Sequence, residues 1–201
     1  MNKNLHLAAT LNGNKEHLRR EALSKRKKLE EHIVIEASKK IAAQLTELFE
    51  FNKTNVHLFY PIEGKKEINT WLIHELIKTT SLLHTSVYNK SNKDWECVSF
   101  NYNEKFTTTI FDVPIPVKYK SCDWKSLDIV LIPLLVFDKK GNRIGYGKGI
   151  YDTILTKIKP KCIKIGLSIF EPTNCIINTS AHDISLDYCL TPCKLYEFNK
   201  Q

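Results

Sequence analysis

Two adjoining stretches decide the fold: Leu127-Asp-Ile-Val-Leu-Ile-Pro133, and after it Gly141-Asn-Arg-Ile-Gly-Tyr-Gly-Lys-Gly-Ile-Tyr-Asp152. The continuous apolar run of the first suits a strand buried on both faces, as in a parallel sheet. Pro133 has no backbone N–H, so the chain is expected to leave the sheet there. Asp138-Lys-Lys-Gly141, with Asp first and Gly fourth, is a turn signature. The second stretch holds four of the chain's seven glycines. Gly145, Gly147 and Gly149 alternate, which lets the backbone take positive φ and approach a ligand closely. A helix is expected over Tyr151–Ile158, ending before Pro160. A glycine-rich segment between buried strand and helix turns its amides toward an anion. Arg143 and Lys148 add full charges for phosphate, and Asp152 is suited to a divalent cation. The alternative is a flexible hairpin tip with incidental charges.

The spacing fits neither common phosphate motif. Five residues, not four, separate Gly141 from Gly147-Lys148, and Gly149 stands where a P-loop has Ser or Thr. The third glycine also comes one residue early for a dinucleotide fingerprint.

Upstream, residues 14–50 carry helical periodicity through Leu18, Ala22, Leu29 and Ile33, with a break expected around Glu31–His32. Lys15, Arg19 and Arg26 form a basic stripe beside that apolar face, able to reach over a cleft or simply to be solvated. Asn55–Tyr60 reads as a strand closed by Pro61, and Ile62–Lys66 as a loop. Trp71–Ile77 reads as a helix capped by Asn69 or Thr70, and Leu82–Tyr88 as a strand. The polar stretch 89–108, with its scattered aromatics, suits a hairpin, and Lys161–Ile169 another strand. Strands alternating with helices imply an α/β layered fold with a mostly parallel sheet. Glu67 then falls at the carboxyl edge of that sheet, where such folds bind ligands. Asp183, beside His182, lies in a polar loop. Taken singly, each of these carboxylates also reads as a surface charge or a cap.

Composition sets outer limits. The chain has 201 residues, 42% hydrophobic and 26% charged, the profile of one ordinary globular domain. Residues 1–13 are expected to be a loosely ordered tail. Thirty Lys and Arg against 22 Asp and Glu give +8, favouring an anionic partner without saying which kind. The longest apolar run is far short of the ~20 residues of a spanning helix, and the N-terminus lacks a signal-peptide core. Six cysteines without a Cys-x-x-Cys pair are expected to be free thiols in a reducing cytoplasm. Scattered histidines make a structural zinc site improbable.

In order along the chain, Lys15-x-x-x-Arg19, Tyr60-Pro61, Glu67-Ile-Asn-Thr70, Asp128–Pro133, Phe137–Asp152, Gly166 and His182-Asp183-x-x-x-Asp187 resemble the 5-formyltetrahydrofolate cyclo-ligase family. The resemblance implies an α/β sandwich with helices on both faces of the sheet. It implies ATP-dependent closure of 5-formyltetrahydrofolate to 5,10-methenyltetrahydrofolate with magnesium. By the same analogy Lys15 and Arg19 bind ATP with Arg143, Ile144, Gly145, Tyr146, Gly147, Lys148, Gly149, Ile150 and Tyr151. Tyr60, Glu67 and the Tyr146–Ile150 segment meet the folate, with or without a polyglutamate tail, and Asp152 and Asp183 hold magnesium. A cytoplasmic monomer with small-molecule partners, and neither nucleic acid nor membrane, is the accompanying expectation. Three positions depart from the family pattern: Ile150 replaces a tyrosine, Ile115-Pro116 a Glu-Pro pair, and Thr153 a frequent arginine. Two other classes compete. A nucleic-acid-binding protein explains the charge but not the glycine loop leading to Asp152. Another phosphate-handling α/β enzyme explains the loop but needs neither Lys15 and Arg19 nor paired metal carboxylates.

Overall fold

The computed structural model describes residues 14–109 and 112–198, so the expected tail over 1–13 lies outside the described residues. The chain opens with α1 (Lys15–Lys27) and α2 (Glu31–Leu48). Asn14 caps α1, its side-chain oxygen accepting from the amides of Glu16 and His17. The break falls at residues 28–30, slightly before the expected Glu31–His32, because Glu30 takes an extended conformation and acts as the cap residue of α2.

Next come β1 (Asn55–His57), α3 (Trp71–Ile77), β2 (Leu82–Asn89) and β3 (Asp94–Ser99). Asn69 supplies the side-chain bond at the start of α3, accepting from the Trp71 amide, while Thr70 occupies the cap position. The expected hairpin is real, but its first arm is β2: that strand pairs antiparallel with β3 from His84–Ser99 to Asn89–Asp94. Short strands follow: β4 (Phe106–Thr108), β5 (Pro114–Pro116) and β6 (Lys120–Cys122). Then come β7 (Ile129–Pro133), the hairpin of β8 (Val136–Phe137) with β9 (Arg143–Ile144), and α4 (Ile150–Leu155). Helix α4 starts one residue before and stops three before its expected bounds. The chain finishes with β10 (Ile163–Leu167), β11 (Tyr188–Leu190) and β12 (Leu195–Glu197).

Eight strands form the main sheet in the order β12-β11-β10-β7-β1-β2-β3-β6. The five central strands, β11 to β2, run parallel, and antiparallel strands close both edges. Period-two alternation along β7 explains why its apolar run is unbroken. Ile129 and Leu131 join one core with Ile41 and Leu45 of α2 and Ile73 and Ile77 of α3. Val130 and Ile132 join the other, with Ile154 and Leu155 of α4. Helices therefore cover both faces of one sheet, as the sequence suggests. Pro133 is the last paired residue of β7, opposite Leu167. Among the described residues no helix is long and apolar enough to cross a membrane. The six cysteines carry free thiols.

The turn Asp138–Gly141 closes the β8–β9 hairpin, with Gly141 at φ 82°. Asp138 is fully buried. Its carboxylate is satisfied by the amides of Lys140, Asn142 and Ile177 and by the Asn142 side chain. This fixes the hairpin that carries Arg143 into the site.

Gly166 sits in β10 on the α4 side of the sheet. A Cβ there would lie 2.6 Å from Leu134 and 2.7 Å from Leu186. Gly166→Ala is therefore expected to destabilise the fold by ~1–3 kcal/mol through overpacking, read as a lowered denaturant midpoint at unchanged slope.

Candidate functional site

All fifteen residues that the family resemblance assigns to the site line one cavity of about 870 Å³: Lys15, Arg19, Tyr60, Glu67, the ten residues Arg143–Asp152, and Asp183. A second cavity of about 360 Å³, between α1 and Phe170–Asn174, contains none of them. The convergence follows from topology. The loop after β1 brings Tyr60 and Glu67 to the carboxyl edge of the sheet, and the β9–α4 connection lies at the same edge. Helix α1 packs across β8 and β9 through a small core of Leu18, Ile144 and Ile177. That packing sets Lys15 and Arg19 over the glycine loop.

Arg19 Nε donates to the Gly145 carbonyl at 2.9 Å. Gly147 lies against the same guanidinium at φ 88°, where a Cβ would come within 3.1 Å of Arg19 Cζ. Glycine is thus required at 147 for two reasons, conformation and space. Gly149, at φ 65°, turns the chain into α4. With only six residues, α4 has a small dipole, so loop amides and side-chain cations carry most of the attraction for an anion.

Two ion pairs hold the charged wall. Lys15 Nζ pairs with Asp183, which also accepts from the Ser180 amide and hydroxyl. Burial opposes ionisation of Asp183, but the bonds from Lys15 and Ser180 outweigh it and keep the carboxyl below its ordinary range. Arg143, buried, pairs with Asp152 at 2.8 Å, and its Nε has no partner among the described residues. Asp152 and Asp183 both line the cavity. No group of three His, Cys, Asp or Glu among the described residues could hold a metal by itself. Two hard oxygen donors beside a cationic wall are a donor set that suits magnesium, which takes one or two carboxylates and completes its shell with phosphate and water. The residues present fit that ion.

Arg26, the third member of the basic stripe, is buried and does not line the cavity. Its Nη2 donates to the Leu134 carbonyl at 2.7 Å and its Nη1 to the Tyr146 hydroxyl at 3.1 Å. Tyr146 in turn donates to Glu67 Oε1 at 2.8 Å, and Glu67 Oε2 accepts from the Ile62 amide at 2.8 Å. Burial and the neighbouring Glu67 charge push the Tyr146 phenol up, so it stays a donor. The helical wheel places Arg26 beside Lys15 and Arg19; its tie to Tyr146 spans 120 residues and shows only in the fold.

Tyr60 contributes its ring. Its hydroxyl is committed to His74 Nδ1 at 2.8 Å, while His74 Nε2 donates to the Tyr102 carbonyl, and Trp71 and Phe106 pack on the ring. Burial pushes this phenol up as well. Ile150, the first residue of α4, is half-buried against the α4-side core. Thr85, Ser86, Tyr88 and Trp95 complete the wall from β2 and β3. No local signal in the sequence marks them.

Comparisons with known proteins bear on the family. The model of the 5-formyltetrahydrofolate cyclo-ligase family matches residues 12–192. A 5-formyltetrahydrofolate cyclo-ligase of Mus musculus is 26% identical, aligned over 91% of this chain and 96% of its own. A probable 5-formyltetrahydrofolate cyclo-ligase of Schizosaccharomyces pombe is 26% identical over 84% and 90%. The 5,10-methenyltetrahydrofolate synthetase of Aquifex aeolicus superimposes with a TM-score of 0.75 at 23% identity, over 93% of this chain and 94% of that one, which shows a shared fold. With its family model spanning nearly the whole chain, the protein belongs to the 5-formyltetrahydrofolate cyclo-ligase family.

Proposed function

We propose that the protein catalyses ATP-dependent cyclisation of 5-formyltetrahydrofolate to 5,10-methenyltetrahydrofolate, releasing ADP and phosphate. The observation that carries this is the single cavity with two kinds of wall. Lys15, Arg19, Arg143 and Lys148 suit a triphosphate, while Glu67, Tyr146, Tyr60 and the aromatic residues of β2 and β3 suit a pterin and its benzoyl arm. Its volume is at the upper end for small-molecule sites.

A formamide oxygen is a poor leaving group. In the proposed reaction it attacks the γ-phosphorus of ATP, and the bond to the bridging oxygen breaks to give ADP. The resulting imidate-type phosphate ester has an electrophilic carbon. The neighbouring folate nitrogen attacks that carbon, the carbon–oxygen bond breaks, and the oxygen departs within phosphate. The nitrogen loses its proton and the five-membered ring closes. The residues' tasks are positioning and charge stabilisation, with no enzyme nucleophile required. Arg19 and the loop amides align the phosphates, and Lys148 meets the charge that moves with the transferred group. Glu67, with both carboxylate oxygens already oriented, accepts from the amino-amide edge of the pterin. Asp152 and Asp183 would hold magnesium, which when bound neutralises phosphate charge and favours transfer. The aromatic pocket and committed carboxylates favour this reading over nucleic-acid binding, which calls for an open basic surface.

The direct test is incubation with 5-formyltetrahydrofolate, ATP and magnesium while following the ultraviolet band of the methenyl product. Product is expected only when nucleotide and divalent cation are both present; equal conversion without ATP would overturn phosphorylation. Lys148→Met is expected to lower kcat on the order of 100-fold while the melting transition holds. Asp183→Asn is expected to raise the magnesium concentration needed for half-maximal rate several-fold, because an amide is a weaker ligand for a hard cation. An unchanged magnesium titration would remove Asp183 from the metal site.

A further inference from the structure

Strand β2 brings two aliphatic hydroxyls to the cavity wall, on Thr85 and Ser86. Thr85 Oγ1 donates to the Leu58 carbonyl at 2.8 Å, so its proton is committed to backbone. Ser86 is different. Its Oγ lies 2.6 Å from Nε2 of His57, which has no exposed surface and sits between the rings of Trp124 and Tyr151. His57 Nδ1 has no hydrogen-bond partner among the described residues.

A serine this close to a histidine has the spacing of an activated nucleophile, but the base is unsuited to the task. Burial, reinforced by His84 nearby, lowers the His57 pKa to about 3. The residue's own backbone favours the imidazolium, but burial outweighs it. The ring is neutral and carries one proton, which has two possible seats. On Nδ1 it would be a buried N–H with no acceptor in hydrogen-bonding geometry among the described residues, a rare and costly arrangement. On Nε2 it is donated to Ser86 Oγ, and only an acceptor lone pair on Nδ1 goes unpaired, the cheaper vacancy. The second arrangement fills the acceptor side of Ser86. It leaves the serine's own proton with no acceptor among the described residues, at a cavity wall.

We propose that Ser86 is a substrate-contacting hydrogen-bond donor, its proton turned into the cavity by His57 and directed at a carbonyl-type oxygen of the bound folate. The inference rests on the folate reading above. Folate is favoured over nucleotide because Ser86 shares its part of the wall with Tyr88 of its own strand and Trp95 of the neighbouring β3, whereas the cations suited to phosphate stand on α1 and in the β9–α4 segment. Folate also offers carbonyl oxygens in its pterin, formyl and benzoyl groups. His57 is a positioning residue: it acts through Ser86 and never touches the ligand.

Two measurements on the full chain test this. Long-range 1H–15N NMR of the His57 ring is expected to show the Nε2–H tautomer, with no titration between about pH 5 and 9. Finding the proton on Nδ1 would overturn the proposal. In steady-state kinetics Ser86→Ala is expected to raise the KM for 5-formyltetrahydrofolate about 3- to 10-fold, the worth of one neutral hydrogen bond, with the KM for ATP unchanged. Ser86→Thr, which keeps a hydroxyl, is expected to recover most of the loss. Equal shifts in both constants, or a lowered melting temperature with no change in KM, would assign Ser86 a structural role and overturn the proposal. If wild type converts the folate and Ser86→Ala does so equally well, this inference alone fails. If wild type neither binds nor converts it, the functional reading fails and this inference with it.

Discussion

A buried guanidinium cannot be left uncompensated, and Arg26 is the one on which this site depends. Removing such a charge from water costs several kcal/mol unless partners replace the solvent. Its partners come from separate stretches of chain: the Leu134 carbonyl after β7, and Tyr146 in the glycine loop, which passes the hydrogen-bond chain on to Glu67 after β1. Because a phenol has one proton, accepting from Arg26 orients Tyr146 to donate to Glu67. The direction of the chain is thereby fixed, from cation through hydroxyl to carboxylate. Helix α1, which carries Lys15 and Arg19, is tied in this way to the Glu67 carboxylate across the cavity. The two walls are held in register by one buried side chain that does not line the cavity.

Where sequence reading succeeded, the deciding physics was local. Strand β7 is legible because a strand buried on both faces must be apolar at every position, and Ile129 through Ile132 serve two cores alternately. The β9–α4 loop is legible because positive φ at Gly147 and Gly149 restricts residue choice. Asp138 and Gly141 likewise carry their turn in four residues. Where it failed, partners far along the chain decide. Strands β6, β11 and β12 have three residues each and exist because a neighbouring edge offers unpaired amides; no periodicity marks a segment that short. Site residues divide along the same line. The cations that line the cavity stand in recognisable clusters, whereas Arg26 and Ser86 take their orientation from Tyr146 and His57, 120 and 29 residues away.

The departures from the family pattern fall where the fold can absorb them. Ile150 begins α4 and packs against the core beneath it, so an apolar side chain continues the stripe of Ile154. In the altered pair the proline is retained, and Ile115, the changed residue, is half-buried in the small β4–β5 ribbon opposite Thr107. Thr153 is exposed on α4 and has no packing role to lose.

The ion pairs Lys15–Asp183 and Arg143–Asp152 give the charged wall a particular economy. Four side chains of opposite sign face one cavity, and each cation is already oriented by a carboxylate before a ligand arrives. Polar groups fixed in advance need little reorganisation when charge develops on a transferring phosphoryl group, which is the condition under which electrostatic stabilisation is largest. In the proposed reaction an incoming triphosphate competes for Lys15 and Arg143 with charge of the same sign as the carboxylates it replaces. Asp152 and Asp183 then lose a cation each and become the kind of hard oxygen donor that magnesium takes. Nucleotide and metal affinity should therefore rise together, since each supplies the counter-charge the other's arrival leaves unmatched. Such a wall would bind either one alone weakly, because a lone anion strands two carboxylates and a lone cation strands two basic groups.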